Sequence, residues 1–314
     1  TDGFGAHGNG VVFRYCRAWN NSDDGYDCIS SDATGVNTFD HCWAYNMRAG
    51  GDSNGFKVGG YGSGTVPATV PGHIVTYCLS ANNTAQGFYA NHQPGKAADW
   101  LHNTAYNHSA GNFDMLERVS PTDPTDIPGY REVLHDNVSY VGTIIKDDAN
   151  PPENVTENSW TKPGVTVTSA DFVSLDASQM TAPRSAGNNL PFITFMHLAP
   201  GSDLAGLGCF EPPPPAPTDV HAAWVTSSRV DLTWTASPGA TEYYVKRATT
   251  SGGPYTSVAV RLAGTSFSDT TVGDSTTYFY VVSAMNAISY DEGASTEAAA
   301  ILPAVAITGV TTDS

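Results

Sequence analysis

The sequence predicts an all-β protein in two parts, a parallel β-helix followed by an antiparallel β-sandwich. A degenerate repeat of short strand-like segments fills the first part, and longer strands of alternating polar and apolar residues occur in the second. The first part also lacks any long stretch with the 3.6-residue apolar period of an amphipathic helix. These observations together exclude a predominantly helical fold.

A proline-rich segment marks the boundary between the two parts. Residues 211–217 read EPPPPAP, and such runs favour the extended polyproline II conformation of a semi-rigid spacer. We therefore expect a β-helix over residues 1–210, a linker over 211–217, a sandwich over 218–303 and a tail over 304–314. A chain of 314 residues is long enough for two such domains.

Five segments of the first part align as a degenerate repeat. Their lead positions are 16, 42, 78, 103 and 137, so the period varies between 25 and 36 residues. Short strands with a variable period of this size predict a solenoid whose coils stack about 4.8 Å apart, the spacing of paired strands. The alternative interpretation is a β-sandwich in which the similarity between segments is coincidental.

Asparagine and cysteine recur at equivalent places of the repeat. Asparagines end four of the strand-like segments, and stacking predicts a ladder of them at one corner of the coils. They are Asn20, Asn46, Asn82 and Asn107. Cys16, Cys42 and Cys78 recur as well, which fits small inward residues better than a disulfide framework. Cys28 and Cys209 leave one possible disulfide open.

Residues 146–210 carry no repeat. We expect them to contain the last coil and a cap, because a solenoid exposes apolar residues at the end of its stack. Val165–Val167 and Phe192–Phe195 have the composition of strands, and Ser169–Phe172 is expected to open a short helical turn.

The second part contains three segments with the period of a β-strand. They are Val230–Trp234, Tyr243–Arg247 and Tyr278–Asn286, and glycine-rich turns separate them. This module resembles a fibronectin type III domain, with Trp234 as the core tryptophan and Tyr278 near a tyrosine corner. Such modules are usually spacers or adhesion units, so the resemblance implies little about activity.

The composition is acidic and poor in charged residues. With 14 Lys and Arg against 31 Asp and Glu, the formal charge is −17. Nucleic-acid binding needs a basic footprint, so we expect no nucleic acid partner. The longest apolar stretch, Leu190–Pro200, is about half the ~20 residues of a membrane span, so we expect no membrane insertion. A surface rich in Asn, Thr, Ser and Tyr is common in secreted proteins, and we expect an extracellular monomer.

An acidic turn is the first candidate site. Asp23, Asp24 and Asp27 lie within five residues, and their spacing does not match an EF-hand loop. Asp2 precedes a glycine and an aromatic residue as Asp24 does, so stacking predicts that Asp2 lies one coil below Asp24. Four converging carboxylates repel one another unless a cation joins them, and oxygen ligands without His or Cys favour Ca²⁺. The alternative is an acidic loop whose aspartates cap backbone groups.

Lys57 is the candidate general base. It lies at the coil position equivalent to Asp27, one coil above. A partly desolvated lysine beside a bound cation has a lowered pKa and can accept a proton. The alternative is a lysine that only forms a salt bridge with Asp27. The longest insertion of the repeat, Gly59–Pro71, follows directly, and insertions of a solenoid often form its binding face.

Three residues near Lys57 are candidates for sugar binding. Tyr89 and Asn91 lie one coil beyond Lys57, and Tyr61 lies in the long insertion. Aromatic rings and amides suit hydroxylated sugar rings. For Tyr89 the alternative is that it only continues a stack.

Five motifs of the first part point to a known family. They are Asp2–Ala6, Gly8–Phe13, Asn21–Asp27, Asn54–Gly60 and His102–Asn107. These motifs resemble polysaccharide lyase family 9, the pectate lyases of right-handed parallel β-helix fold. The resemblance covers roughly residues 1–145.

The resemblance implies a secreted, Ca²⁺-dependent pectate lyase acting on polygalacturonate or pectin. It implies that Asp2, Asp23, Asp24 and Asp27 bind Ca²⁺ and that Lys57 is the catalytic base. The implied reaction is β-elimination, in which Lys57 takes the C5 proton and the C4–O bond breaks to leave a 4,5-unsaturated product. Family members have several coils before this point, so we expect the β-helix to lack its first coils.

Two other functions remain open. Glycoside hydrolysis by paired carboxylates would make Asp23, Asp24 and Asp27 acid and base residues, with no metal and no role for Lys57. A non-catalytic carbohydrate-binding or adhesive β-helix would need neither. The substitution Lys57→Ala discriminates, because it inactivates a lyase and leaves a hydrolase or an adhesin largely intact.

Overall fold

The computed structural model divides the chain into two units, Thr1–Glu211 and Pro212–Ser314. The described residues are 1–30, 35–61, 72–90, 97–116, 132–146, 154–184, 188, 190–210, 214–273, 276–286 and 295–301. Of residues 29–30 and 60–61 only the backbone is described. Among the described residues, no helix is long and apolar enough to cross a membrane.

The first unit is a parallel β-helix built from three sheets. Each coil contributes one short strand to each sheet in turn, and every strand pairs in parallel with its equivalent in the next coil. Sheet 1 contains β1 Phe4–Gly5, β4 Tyr26–Ser30, β7 Phe56–Tyr61, β10 Gln86–Tyr89, β13 Gly111–Asp114 and β16 Ile145–Lys146. Sheet 2 contains β2 Val12–Arg14, β5 Thr38–Asp40, β8 His73–Thr76, β11 Ala98–Leu101, β14 Val133–His135 and β17 Val155–Thr156. Sheet 3 contains β3 Arg17–Trp19, β6 Trp43–Tyr45, β9 Leu79–Ala81, β12 Thr104–Tyr106 and β15 Val138–Tyr140. This architecture confirms the predicted fold class.

Sheet 1 directs one column of side chains inward and the next column outward. The inward column is a stack of aromatic rings whose neighbouring centroids lie 4.6–5.1 Å apart. Its members are Phe4, Tyr26, Phe56, Phe88 and Phe113. Because side chains alternate along a strand, the residue after each of these rings faces outward. We call the outward residues the outer column; they are Gly5, Asp27, Lys57, Tyr89, Asp114 and Lys146.

Two asparagine ladders mark the corners of the coils. The predicted ladder of Asn20, Asn46, Asn82 and Asn107 is present, and each residue has a positive φ between 53° and 59°, which asparagine tolerates better than most residues. Within it, Asn107 Nδ2 donates to Asn82 Oδ1 at 2.7 Å. A second, buried ladder contains Asn103, Asn137 and Asn158, whose backbone and side-chain amides bond from coil to coil.

The cysteines line the interior as predicted. Cys42 and Cys78 are fully buried, and the Cys42 amide donates to Cys78 Sγ at 3.4 Å. Cys28 and Cys209 are both buried thiols, so the pairing left open by the sequence does not form.

The end of the first unit contains little regular structure. Ser169–Asp171 and Ala177–Thr181 form short 3₁₀ helices, the first where a helical turn was expected. The strand predictions for Val165–Val167 and Phe192–Phe195 were wrong, since neither segment forms a strand and only Phe195 makes an isolated bridge. Composition misled here because these segments have no partner strand in register.

The second unit is an antiparallel sandwich of seven strands. One sheet has the order β18 Thr218–Thr226, β19 Arg229–Thr235, β22 Ser266–Asp269. The other has the order β21 Thr256–Leu262, β20 Glu242–Ala248, β23 Tyr278–Met285, β24 Ala298–Ala300. Trp234 lies in the core between them, and the Gly273 amide donates to Tyr278 Oη at 3.0 Å, as in a tyrosine corner.

Candidate functional site

The candidate site lies on the outer face of sheet 1, where β1, β4 and β7 are in register. Tyr26 pairs with Phe4 and with Phe56, so Asp27 lies beside Lys57 in the outer column. The same register places Asp2 below Asp24, and the Asp24 amide donates to Asp2 Oδ1 at 3.2 Å. The coil positions deduced from the repeat are therefore those of the structure.

The four predicted aspartates converge with one that the sequence analysis missed. Carboxylate oxygens of Asp2, Asp24 and Asp27 lie within 4.8 Å of one another, as do those of Asp23, Asp24 and Asp52. Asp52 lies in the turn before β7, and its amide donates to Asp23 Oδ1 at 2.8 Å. A Cβ atom added at Gly51, the residue before Asp52, would lie only 2.4 Å from Asp23 Oδ1. The turn therefore approaches the acidic loop closely.

A signal for Asp52 was available in the repeat. The segment Asp52–Gly55 aligns with Ser22–Gly25 one coil below, so its polar residues belong to the same turn of the stack. The Gly-aromatic positions of the repeat do not include Asp52, which lies three residues before the glycine of this turn.

Lys57 lies among three carboxylates. Its Nζ is 2.8 Å from Asp52 Oδ2, 3.2 Å from Asp24 Oδ2 and 3.8 Å from Asp27 Oδ1, with 11% of the side chain exposed. Burial acts to lower the pKa of Lys57, but the hydrogen bond to Asp52 and the charges of the other two carboxylates outweigh it and raise the pKa. The protein without a cation therefore raises the pKa of Lys57, whereas the sequence led us to expect a lowered pKa beside a bound cation.

Two of the aspartates are buried at an energetic cost. Burial raises the pKa of Asp24 to about 6 against the pull of Lys57 and of hydrogen bonds from Asn54. Burial also raises the pKa of Asp27, and the nearby charges of Asp2 and Asp23 add to the effect. Asp24 Oδ2 and Asp27 Oδ1 are buried and form ion pairs with Lys57 Nζ, but within the described part of the chain neither oxygen accepts a hydrogen bond of good geometry. Such oxygens favour a proton or a cation beside them.

The residues predicted to bind sugar are placed unequally. Tyr89 follows Lys57 in the outer column, but only 8% of it is exposed, so little of its ring can face a sugar. Tyr61 ends β7, where only its backbone is described, and Asn91 lies outside the described residues. A role for these three residues in substrate binding stays a prediction.

Comparisons with known proteins identify relatives of the first unit. Residues 1–137 match the model of the Pel9A-like right-handed β-helix region. Pectate lyase L of Dickeya chrysanthemi is 30% identical over 222 residues, which cover 67% of this chain and 47% of that protein. The chain therefore spans about half the length of the curated relatives it matches.

Two solved lyase structures are also similar to the chain. A rhamnogalacturonan lyase is 31% identical with a TM-score of 0.56, covering 67% of this chain and 55% of its own. Pectate lyase Pel9A is 28% identical with a TM-score of 0.52, covering 67% of this chain and 50% of its own. These matches confirm the resemblance predicted from the sequence. For the second unit, an Fn3-like protein from Clostridium thermocellum is 42% identical over 29% of this chain and 94% of its own, with a TM-score of 0.27.

Proposed function

With residues 1–137 matching the Pel9A-like right-handed β-helix family, we propose that the first unit is a polysaccharide lyase that cleaves an acidic polysaccharide by β-elimination. The observation that carries the proposal is a single lysine, Lys57, held on the outer face of sheet 1 among three carboxylates, two of which are buried. Hydrolysis by a carboxylate pair, the rival function, assigns no role to this lysine. The relatives named pectate lyase support the same reaction class.

The acidic cluster has the donor set that Ca²⁺ requires. Its ligand atoms are carboxylate oxygens, which hard cations prefer. Two of these oxygens are buried, and among the described residues they have an ion pair with Lys57 but no well-formed hydrogen bond. We assign Asp2, Asp23, Asp24 and Asp27 as residues that would hold the ion, with Asp52 as a further candidate. A bound Ca²⁺ supplies positive charge that attracts the substrate carboxylate and offsets the acidic cluster.

Lys57 performs the proton transfer. In its neutral form, Nζ takes the proton from C5 of the uronate, which is acidified by the adjacent carboxylate. The electron pair released at C5 forms the C4=C5 double bond, and the C4–O bond breaks with its electrons leaving on the glycosidic oxygen, which then takes up a proton. Because carboxylates raise the pKa of Lys57, their neutralisation is the condition for the lysine to act as a base.

Polygalacturonate is the first substrate to test. The chain carries a charge of −17, so an acidic polymer would be repelled without a bound cation, which again favours Ca²⁺ dependence. A second candidate is the rhamnogalacturonan backbone, which is favoured by the likeness of the first unit to a rhamnogalacturonan lyase. Both polymers contain uronates, so the same elimination serves either.

The setting of the enzyme is part of the proposal. We assign it to the extracellular space as a monomer, because its composition is that of secreted proteins and its substrate is an extracellular polymer. The second unit would act as a spacer or adhesion module, the usual role of fibronectin type III domains.

The proposal is tested by identifying the reaction product in the presence and in the absence of Ca²⁺. Purified protein is incubated with polygalacturonate at alkaline pH, with Ca²⁺ and with excess chelator, while ultraviolet absorbance of the unsaturated product is followed. Absorbance that grows with Ca²⁺ and stops with chelator supports elimination at the cluster. New reducing ends without ultraviolet absorbance would replace the proposal by hydrolysis. Rhamnogalacturonan is assayed in parallel to choose between the two polymers.

A further inference from the structure

A second lysine lies in the outer column that contains the proposed base. The column continues from Lys57 through Tyr89 and Asp114 to Lys146, each in register with the next. The first unit has only four lysines, so two of them in one column is notable. Neighbouring strands are about 4.8 Å apart, which places the backbone of Lys146 roughly 14 Å from that of Lys57 along the stack.

Lys146 is held in place from below. Its Nζ lies 2.9 Å from Asp114 Oδ2, and the Asp114 side chain is only 3% exposed. The same carboxylate accepts hydrogen bonds from Gln86 Nε2 at 3.2 Å and from the Leu116 amide at 3.4 Å. The negative charge of Asp114 is therefore buried and is stabilised by donors from Lys146, Gln86 and Leu116.

The ammonium is the part of this pair that faces solvent. The Lys146 side chain is 34% exposed, and an ammonium group has three donors, of which Asp114 takes one. Ile145, the preceding residue, packs against the interior, which fixes the outward direction of Lys146. A fixed cation with two donors that are not taken up by any residue in the described part of the chain is suited to a carboxylate ligand.

We propose that Lys146, positioned by Asp114, is a distal subsite that binds a uronate carboxylate of the polymer three strand spacings from Lys57. A polymer that extends from Lys57 to Lys146 passes over the buried Tyr89 and Asp114 without resting on them, and it runs parallel to the axis of the β-helix. One sugar unit is about as long as one strand spacing. The subsite therefore binds a uronate about three units from the one that reacts. This inference rests on the proposed function, because it takes the same polymer as the ligand.

The chain offers a matched control. Lys162 belongs to the same unit, is 32% exposed and pairs with Glu157 at 3.4 Å, but it lies outside the outer column. Lys146→Gln removes the charge, Lys146→Arg retains it, and Lys162→Gln removes an equivalent charge elsewhere.

Binding is measured in the Lys57→Ala background, so that the polymer is not consumed. Retardation in native gels containing polygalacturonate gives an affinity without turnover. We expect Lys146→Gln to weaken binding roughly 5- to 10-fold, the range for a partly exposed charged hydrogen bond, and Lys146→Arg and Lys162→Gln to change it less than twofold. In the active protein, Lys146→Gln should raise KM for the polymer by a similar factor and leave KM for trigalacturonate unchanged.

The outcomes separate this inference from the proposed function. Equal retardation of Lys146→Gln and its parent overturns the subsite, even where wild-type protein forms unsaturated product. Loss of retardation in Lys162→Gln as well as Lys146→Gln overturns it too, because the effect would then be one of net charge. Absence of both retardation and product in wild-type protein overturns the subsite and the proposed function together.

Discussion

At the scale of the residue, the site is a balance between buried carboxylates and one lysine. Without a cation, Asp24 has a raised pKa because of burial, and Lys57 has a raised pKa because the carboxylates outweigh its burial. Each group is thus held in its protonated form more strongly than in water. A divalent cation reverses both tendencies, since it favours ionised aspartates and disfavours the ammonium.

This balance predicts pH-dependent stabilisation by Ca²⁺. The Asp24 pKa rises from 3.8 to about 6 on folding, so without cation the first unit loses stability as pH rises through that window, by roughly 2–3 kcal/mol. The proposed Ca²⁺ site would bind the ion through ionised carboxylates, so the gain in melting temperature on adding Ca²⁺ should be small near pH 5 and larger near pH 8. Differential scanning fluorimetry with Ca²⁺ and with chelator measures both.

The matched variants for that measurement are Asp24→Asn and Asp203→Asn. Asp203 is an exposed aspartate of the same unit. Asp24→Asn should abolish the gain from Ca²⁺, and Asp203→Asn should preserve it. An equal gain at both pH values in wild-type protein would show that Asp24 is not a ligand.

The sequence was sufficient to predict four of the five aspartates in the cluster, but not to predict the direction in which their pKa values and that of Lys57 are shifted. Asp2 and Asp24 follow from the Gly-aromatic register, which repeats in the first four coils. The raised pKa of Lys57 depends on Asp52. The coil alignment places the turn of Asp52 beside the acidic loop, but it does not give the side-chain hydrogen bond from Lys57 Nζ to Asp52 Oδ2.

At the scale of the element, the coils are specified by residues that stack. The aromatic positions and the corner asparagines could be predicted because successive coils repeat them at the same point, five times for the rings and four times for the asparagines. The buried ladder of Asn103, Asn137 and Asn158 was missed, since Asn158 lies in a region without a recognisable repeat. The strand predictions for Val165–Val167 and Phe192–Phe195 were wrong for the same reason, because the repeat period is the main sequence signal of a solenoid and these segments have none.

The buried ladder predicts a large loss of stability on substitution. Asn137 accepts from Asn103 N at 2.8 Å and donates to Asn158 Oδ1 at 2.8 Å and to Trp100 O at 2.7 Å. Asn137→Ala leaves buried groups unpaired and should lower the free energy of unfolding by about 2–4 kcal/mol, measured by urea denaturation. Asn107→Gly, in the outer ladder, keeps the backbone freedom required at φ 59° and should cost less than about 1 kcal/mol. Similar losses in the two variants would contradict the assignment of the buried ladder.

At the scale of the whole molecule, the two units differ in their buried histidines. His108 and His197 are both buried in the first unit, and burial lowers the pKa of each to about 3. The unfolded chain binds protons at these histidines below about pH 6.5, so stability is lost as pH falls from 6.5 toward 3. In the second unit, hydrogen bonds lower the pKa of Asp269 despite its burial. The stability that Asp269 contributes is therefore retained above the ordinary aspartate pKa of 3.8 and is lost only as the pH falls below it.

This difference predicts selective acid unfolding. Between about pH 6.5 and pH 4 the first unit should lose several kcal/mol, more than the gain from protonating Asp24, while the sandwich keeps its stability. Calorimetry at several pH values should show one transition that moves to lower temperature and one that does not. Two transitions that move together would contradict the account.

The central claim is tested most directly by replacing Lys57. The initial rate of unsaturated product from polygalacturonate is compared for wild type, Lys57→Ala and the control Lys162→Ala, at saturating Ca²⁺. Loss of a general base predicts a fall of about 10²- to 10⁴-fold in kcat for Lys57→Ala, with retained Ca²⁺-induced stabilisation and an unchanged control. A Lys57→Ala protein that forms unsaturated product at the wild-type rate would contradict the assignment of Lys57 as the base.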